Sequence, residues 1–160
     1  MEALSGLRAA AGGTITFKEK NITKTTVRQR ISDGLAFIPE DRSGCLVREL
    51  SVAENASIKS YRLPEFSKGG IVDYKKLNKQ AEEFIDKFEI KVGGTKSLVQ
   101  SMSGGNAQKL ILARETASKP DVILASYRCA AWTSRQRRVS TKFWSTKRTA
   151  ERAFAGVGGL

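Results

Sequence analysis

Met102-Ser103-Gly104-Gly105-Asn106-Ala107-Gln108-Lys109, running on through Leu110-Ile111-Leu112-Ala113-Arg114-Glu115, is the stretch that decides how this chain is read. A Ser and two Gly ahead of an apolar-periodic run place backbone N–H groups at a helix start with no Cβ in the way. The helix dipole there favours an anion such as phosphate. The apolar spacing of Leu110, Ile111, Leu112 and Ala113 predicts a helix from Ser103 to about Thr116. Lys119-Pro120 ends it, and Asp121-Val122-Ile123-Leu124-Ala125 reads as a strand buried on both faces. Ser-Gly-Gly alone is common in flexible turns, so it is this setting of turn, helix, Pro-terminated loop and buried strand that gives the motif weight.

Outward from there, the local signals alternate between strands and helices. Gly34-Leu35-Ala36-Phe37-Ile38 is a short apolar run stopped by Pro39, which fits a buried strand. Thr14 to Phe17 alternates as a strand does, with a turn at Asn21-Ile22-Thr23. Ser51 with Glu54 three positions later forms the pattern of a capping box. Asp73 opens a longer helix in which Leu77, Ala81, Phe84, Ile85 and Phe88 recur at three- and four-residue steps. Leu63-Pro64 to Gly70 between those helices is expected to be a loop. The fold class is therefore α/β.

The 160 residues allow one modest domain, and 40% hydrophobic with 28% charged residues is the composition of a globular chain. No apolar run approaches the roughly 18 to 20 residues that cross a bilayer. The opening MEALSGLRAAAGG lacks a signal-peptide core, so a cytosolic location is expected. Cys45 and Cys129 show no metal or redox spacing and read as free thiols. There is no His, which removes Ser-His and Cys-His nucleophile pairs, His-ligated zinc and a His general base. The net charge of +12 is uneven: residues 1–126 carry 20 basic and 15 acidic side chains, residues 127–160 carry 8 and 1.

With these motifs in place, the sequence resembles the ATP-binding subunits of ABC transporters. Their Leu-Ser-Gly-Gly-Gln signature matches Met102 to Asn106. The resemblance is nearer to one branch, the ATP-binding proteins of monosaccharide and nucleoside importers, which fuse two such domains in one chain. Pro39-Glu40-Asp41-Arg42, Ser51-Val52-Ala53-Glu54-Asn55 and Asn106-Ala107-Gln108-Lys109 follow the order found in the second domain of those proteins. Pro64 to Gly70 looks like the nucleoside-importer type. The resemblance implies a partial, P-loop NTPase-like ABC nucleotide-binding domain over 1–127, with a helical subdomain over about 48–100. It implies ATP and Mg as cofactors of the intact family, a second ABC domain and a membrane permease as partners, and a position at the inner face of the cell membrane. Ser103, Gly104, Gly105, Asn106 and Gln108 would supply the signature to an ATP site whose phosphate loop lies in the partner domain.

Departures from the family pattern are equally specific. The phosphate-cradling G-x-x-x-x-G-K-S/T loop occurs nowhere in the chain. By resemblance, Glu2 to Leu7 corresponds to the end of the helix after that loop, so the chain is expected to begin inside the domain. Pro39, beside Glu40, stands at the Q-loop glutamine. Ser126 and Tyr127 stand where active members place the Mg-linked Asp and catalytic Glu; neither side chain supplies the charge or the base for those roles. No catalytic residue, no metal site and negligible ATP hydrolysis by the chain alone are expected.

Beyond Tyr127 the family's D-loop fails to appear. With one C restored ahead of codon 128, codons compatible with Arg128 to Ser134 read Pro-Met-Arg-Gly-Leu-Asp-Val, which is the D-loop pattern. Residues 128–160 are therefore expected to be an out-of-frame, disordered tail, and the resulting incomplete sheet to be marginally stable. The alternative is a nucleic-acid-binding protein that uses the Arg-rich tail with Trp132 and Trp144 as stacking groups; no specific nucleic-acid partner is expected. A third reading makes Ser51 to Val99 an interaction module for the permease.

Overall fold

The computed structural model describes residues 2–39 and 44–125, and these divide into two units. The first is drawn from 1–40 and 118–160, the second from 41–117.

In the first unit the chain opens with α1 (Glu2–Ser5), which ends at Gly6, where φ is +85° and the Leu7 N–H returns to the Glu2 carbonyl at 3.0 Å. A hairpin of two-residue strands follows, β1 (Thr16–Phe17) with β2 (Lys20–Asn21), so the strand expected from Thr14 begins two residues later. α2 (Val27–Ser32) was not legible from apolar spacing. It is fixed at its start by a capping box in which Thr26 accepts from the Gln29 N–H and Gln29 returns to the Thr26 N–H. β3 (Leu35–Ile38) and β6 (Val122–Ala125) run parallel in the register Leu35↔Val122 to Ile38↔Ala125. Gly34 makes their approach possible: its φ is +101°, and a Cβ there would lie 2.1 Å from Asp121 Oδ2. Ile22, Leu35 and Leu124 form the core of this unit, with Leu4, Ile15, Phe17, Phe37 and Val122 packed around them.

The second unit is helical apart from a hairpin. α3 (Val52–Ser57) begins at the expected capping box: Ser51 Oγ accepts from the Glu54 N–H, and Glu54 Oε2 accepts from the Ser51 N–H at 2.8 Å. The stretch expected as a loop contains β4 (Ser67–Lys68), paired antiparallel with β5 (Ile71–Val72) across Gly69-Gly70. Both glycines have positive φ, and a strand of two residues is too short to show a period. α4 (Tyr74–Lys87) is capped by Asp73, which accepts from the Lys75 and Lys76 N–H groups. It buries Leu77, Ala81 and Phe84 as its spacing predicts. A 3₁₀ turn (Val99–Ser101) then leads to α5 (Gly104–Ala117), which packs on α3 and α4 through Leu110, Ile111 and Ala113. Val52, Leu110 and Ile111 are wholly buried, and each such side chain contributes about 1.5 to 3 kcal/mol of apolar burial. No described helix is long and apolar enough to cross a membrane.

Candidate functional site: the turn into α5

The turn is built from a buried anchor outward. Val99 is buried, and the Met102 N–H donates to its carbonyl at 3.0 Å, leaving Met102 extended (φ −81°, ψ 144°) as the chain enters Ser103. The helix begins at Gly104, one position after the start read from the sequence, and Ser103 immediately precedes it. Its carbonyl accepts the Ala107 N–H at 2.9 Å. Its hydroxyl oxygen accepts from the Asn106 side-chain amide at 3.0 Å and, weakly, from the Asn106 N–H at 3.4 Å. The Gly104 and Gly105 amides belong to the first turn, where a helix offers no intrahelical acceptor. Gly104 is exposed, and an added Cβ would have no heavy atom within 4 Å. Gln108 lies one turn further along and is half-buried.

Two further bonds hold the turn from the side. Asn106 Oδ1 accepts the Lys91 N–H at 2.9 Å, and Lys109 Nζ donates to the Glu89 carbonyl at 2.5 Å. Glu89 has φ +50° and the Ile90 N–H returns to the Ile85 carbonyl at 2.9 Å, so α4 ends there in a left-handed residue and is gripped by the first turns of α5.

The far end of α5 carries polar residues that no local pattern announces. Arg114 and Glu115 are buried neighbours, with Arg114 Nε 3.2 Å from Glu115 Oε1, and Lys59 forms an ion pair with Glu115. Arg114 Nη1 donates to the Cys45 carbonyl at 2.9 Å. Asn55, wholly buried, accepts from the Val47 N–H and donates to the Val47, Leu50 and Ser51 carbonyls. Together they fix the loop ahead of α3. The sequence marks Asn55 only as the last residue of the Ser51-to-Asn55 motif.

Of the remaining expected site residues, Pro39 follows β3 directly and is half-buried. Glu40, Ser126, Tyr127 and the tail with Trp132 and Trp144 lie outside the described residues. The Ser51 hydroxyl, and then the Ser51 N–H, hold the Glu54 carboxyl below its ordinary value. Among the described residues no cluster of three His, Cys, Asp or Glu could hold a metal ion.

The ABC transporter family model matches residues 1–125. This chain belongs to that family. It is 37% identical over 127 residues to the nucleoside import ATP-binding protein NupA of Lactococcus lactis, an alignment that covers 79% of this chain and 25% of that protein. It is 33% identical over 126 residues to the ribose import ATP-binding protein RbsA of Rhodopirellula baltica, covering 78% and 24%. The ABC chain thus spans about a quarter of the length of these relatives. Among solved structures, a nucleotide-free ATP-binding cassette from an ABC transporter superposes with a TM-score of 0.66 at 15% identity, covering 89% of this chain and 58% of that one. The α/β, P-loop NTPase-type fold of the cassette is therefore the fold of this ABC chain. Asn55, Glu54 and the Ser103 turn, singled out in its sequence, all fall within the matched span.

Proposed function

We propose that this chain is the signature-bearing part of an ATP-binding protein of a sugar or nucleoside importer. In this reading Ser103, Gly104 and Gly105, with Asn106 and Gln108 in the same motif, meet the γ-phosphate of ATP held on the phosphate loop of a second ABC domain. Closure of the two domains on ATP is coupled through a membrane permease to transport at the inner face of the cell membrane. The observation that carries the reading is the combination of family membership with the exposed Ser-Gly-Gly start of a fourteen-residue helix.

A phosphate group fits the residues present. The Ser103 hydroxyl has no acceptor among the described residues, and Gly104 leaves open space in front of the first-turn N–H groups. Magnesium does not fit: Pro39 stands at the Q-loop position, and Ser126 and Tyr127 bring no carboxylate to the Walker B end. Turnover by this chain alone is accordingly negligible, because its sequence also contains no G-x-x-x-x-G-K-S/T loop.

The test is to mix the full chain with a cassette of the family that retains its phosphate loop and to measure association by sedimentation with and without Mg-ATP. Association should require ATP. Gly104→Asp should abolish it, because a carboxylate would face the γ-phosphate, while leaving stability unchanged or slightly higher, since an acidic residue suits a helix start. Association that ignores ATP or Gly104→Asp would refute the reading. So would brisk hydrolysis by the chain alone that Ser103→Ala removes.

A further inference from the structure

We propose that Asn106 is a positioning residue for Ser103: its side chain turns the Ser103 hydroxyl into an outward-facing donor and ties the signature turn to the segment that leaves α4. The inference rests on the reading above for its purpose, but its geometry stands separately.

A carboxamide has one acceptor oxygen and two N–H donors, and the bonds around Asn106 use both ends. Oδ1 takes the Lys91 N–H at 2.9 Å, a backbone donor that cannot be reversed, and this fixes which end of the amide is oxygen. The NH₂ end is thereby directed at Ser103 Oγ, 3.0 Å away. The Asn106 backbone N–H approaches the same oxygen at 3.4 Å.

A hydroxyl has two lone pairs and one proton. Asn106 addresses the lone pairs from its amide and its backbone, so the proton is directed away from the protein. Ser103 is exposed, and no described residue accepts that proton. A hydroxyl held this way is complementary to an anionic oxygen and indifferent to a donor. An Asp at 106 would invert the arrangement. Its carboxylate would still accept from the Lys91 N–H but would also accept from Ser103, folding the hydroxyl inward and adding a negative charge beside the turn.

The Lys91 bond also gives the turn a mechanical neighbour. Lys91 lies two residues past Glu89, whose carbonyl is held by Lys109 from the same face of α5. A displacement of the end of α4 is thus carried to Ser103 through one side chain.

The test uses the full chain, uniformly ¹⁵N-labelled, and needs no nucleotide. In Asn106→Ala the Lys91 amide should exchange with solvent about tenfold faster, the effect of losing one hydrogen bond of ordinary net strength. In Asn106→Asp it should stay within about twofold of wild type, because the acceptor is retained. Ser103→Ala should shift the Asn106 side-chain NH₂ resonances while leaving Lys91 protected. Unchanged Lys91 exchange in Asn106→Ala, or unmoved Asn106 NH₂ resonances in Ser103→Ala, would overturn the proposal. A second arm measures ATP-dependent association: Asn106→Asp should weaken it more than Asn106→Ala, a ranking that a merely structural role would reverse, since Asp keeps the tether and Ala does not. If the wild-type chain shows no ATP-dependent association, the functional reading fails while the exchange and resonance measurements still decide the role of Asn106.

Discussion

Replacing Arg30 by Met should cost the first unit about 1 to 3 kcal/mol, the surplus of its hydrogen bonds over the cost of burying its charge. Arg30 lies on α2 and is 2% exposed. All five of its N–H donors have acceptors: Nε to Thr25 Oγ1 at 3.1 Å, Nη1 to the Ala3 and Leu4 carbonyls at 2.5 and 2.9 Å, Nη2 to the Ile22 and Thr23 carbonyls at 2.7 and 3.1 Å. Gly6 leaves room for it, since a Cβ there would lie 3.1 Å from Arg30 Nε. No carboxylate pairs with Arg30 among the described residues, so two effects compete. Desolvating the guanidinium costs several kcal/mol. Against that stand five charge-assisted bonds of roughly 1.5 to 3 kcal/mol each, and a carbonyl left bare in the interior costs about 1 to 3 kcal/mol. The buried Ile22 carbonyl would not be left bare, since it keeps the Thr25 N–H and hydroxyl at 3.1 and 2.8 Å, and the Ala3, Leu4 and Thr23 carbonyls are partly exposed and would recover some hydration. Arg30→Lys keeps the charge but has only three donors for five acceptors, so it should lose about half as much. Because the chain has two units, a single melting curve is a poor readout. Hydrogen exchange at the Ile22 amide, bonded to the Ile15 carbonyl at 2.8 Å, reports the local opening directly. If Arg30→Met opens this region no more readily than wild type, desolvation outweighs the bonds and the inventory is wrong.

Other outcomes follow from the same kind of reading. Gly34→Ala should break the approach of the 34–121 loop segments and unzip β3 from β6, seen as loss of exchange protection at Val122 and Ile123, because the added Cβ meets Asp121 and the backbone is left-handed there. Asn55→Leu should destabilise the second unit by about 1 to 3 kcal/mol in urea unfolding, since it bares the Val47 N–H, while the Val47, Leu50 and Ser51 carbonyls lose the side-chain donor but keep a backbone N–H each, from Leu50, Val99 and residue 55. For Glu54 the folded pKa lies below the unfolded one. Its cap therefore stabilises α3 fully above about pH 4.3 and loses that contribution as pH falls through the folded value. Glu54→Gln should flatten this acid limb by a few tenths to about 1 kcal/mol, read from urea midpoints between pH 3 and 6. Deleting residues 128–160 should abolish any salt-dependent DNA binding of the full chain; DNA binding that survives the deletion would refute the tail as its carrier.

Much of the fold was legible because its signals are short-ranged. A capping box needs only Ser51 and Glu54, an amphipathic face only the three- and four-residue steps from Leu77 to Phe88, and a strand end only Pro39. The α5 turn was legible for the same reason, as was the family, whose motifs are contiguous strings. Where local signals thin out the reading thinned too: α2 has six residues and an apolar spacing too sparse to mark it, and the 67–72 hairpin has strands of two.

What the sequence by itself determined, then, is most of the elements, the Ser51 and Asp73 caps, the Ser103 turn to within one residue and the family to which the chain belongs. Only the tertiary structure decided that β3 and β6 lie side by side in parallel, that Arg30 is buried, that Arg114 and Asn55 hold the loop ahead of α3, and that Asn106 is committed to Ser103 and Lys91. The physical reason is largely shared. Most of their partners are backbone groups, and every residue carries a carbonyl and nearly every one an N–H, so no side-chain pattern distinguishes the carbonyl that Arg30 will find from its neighbours.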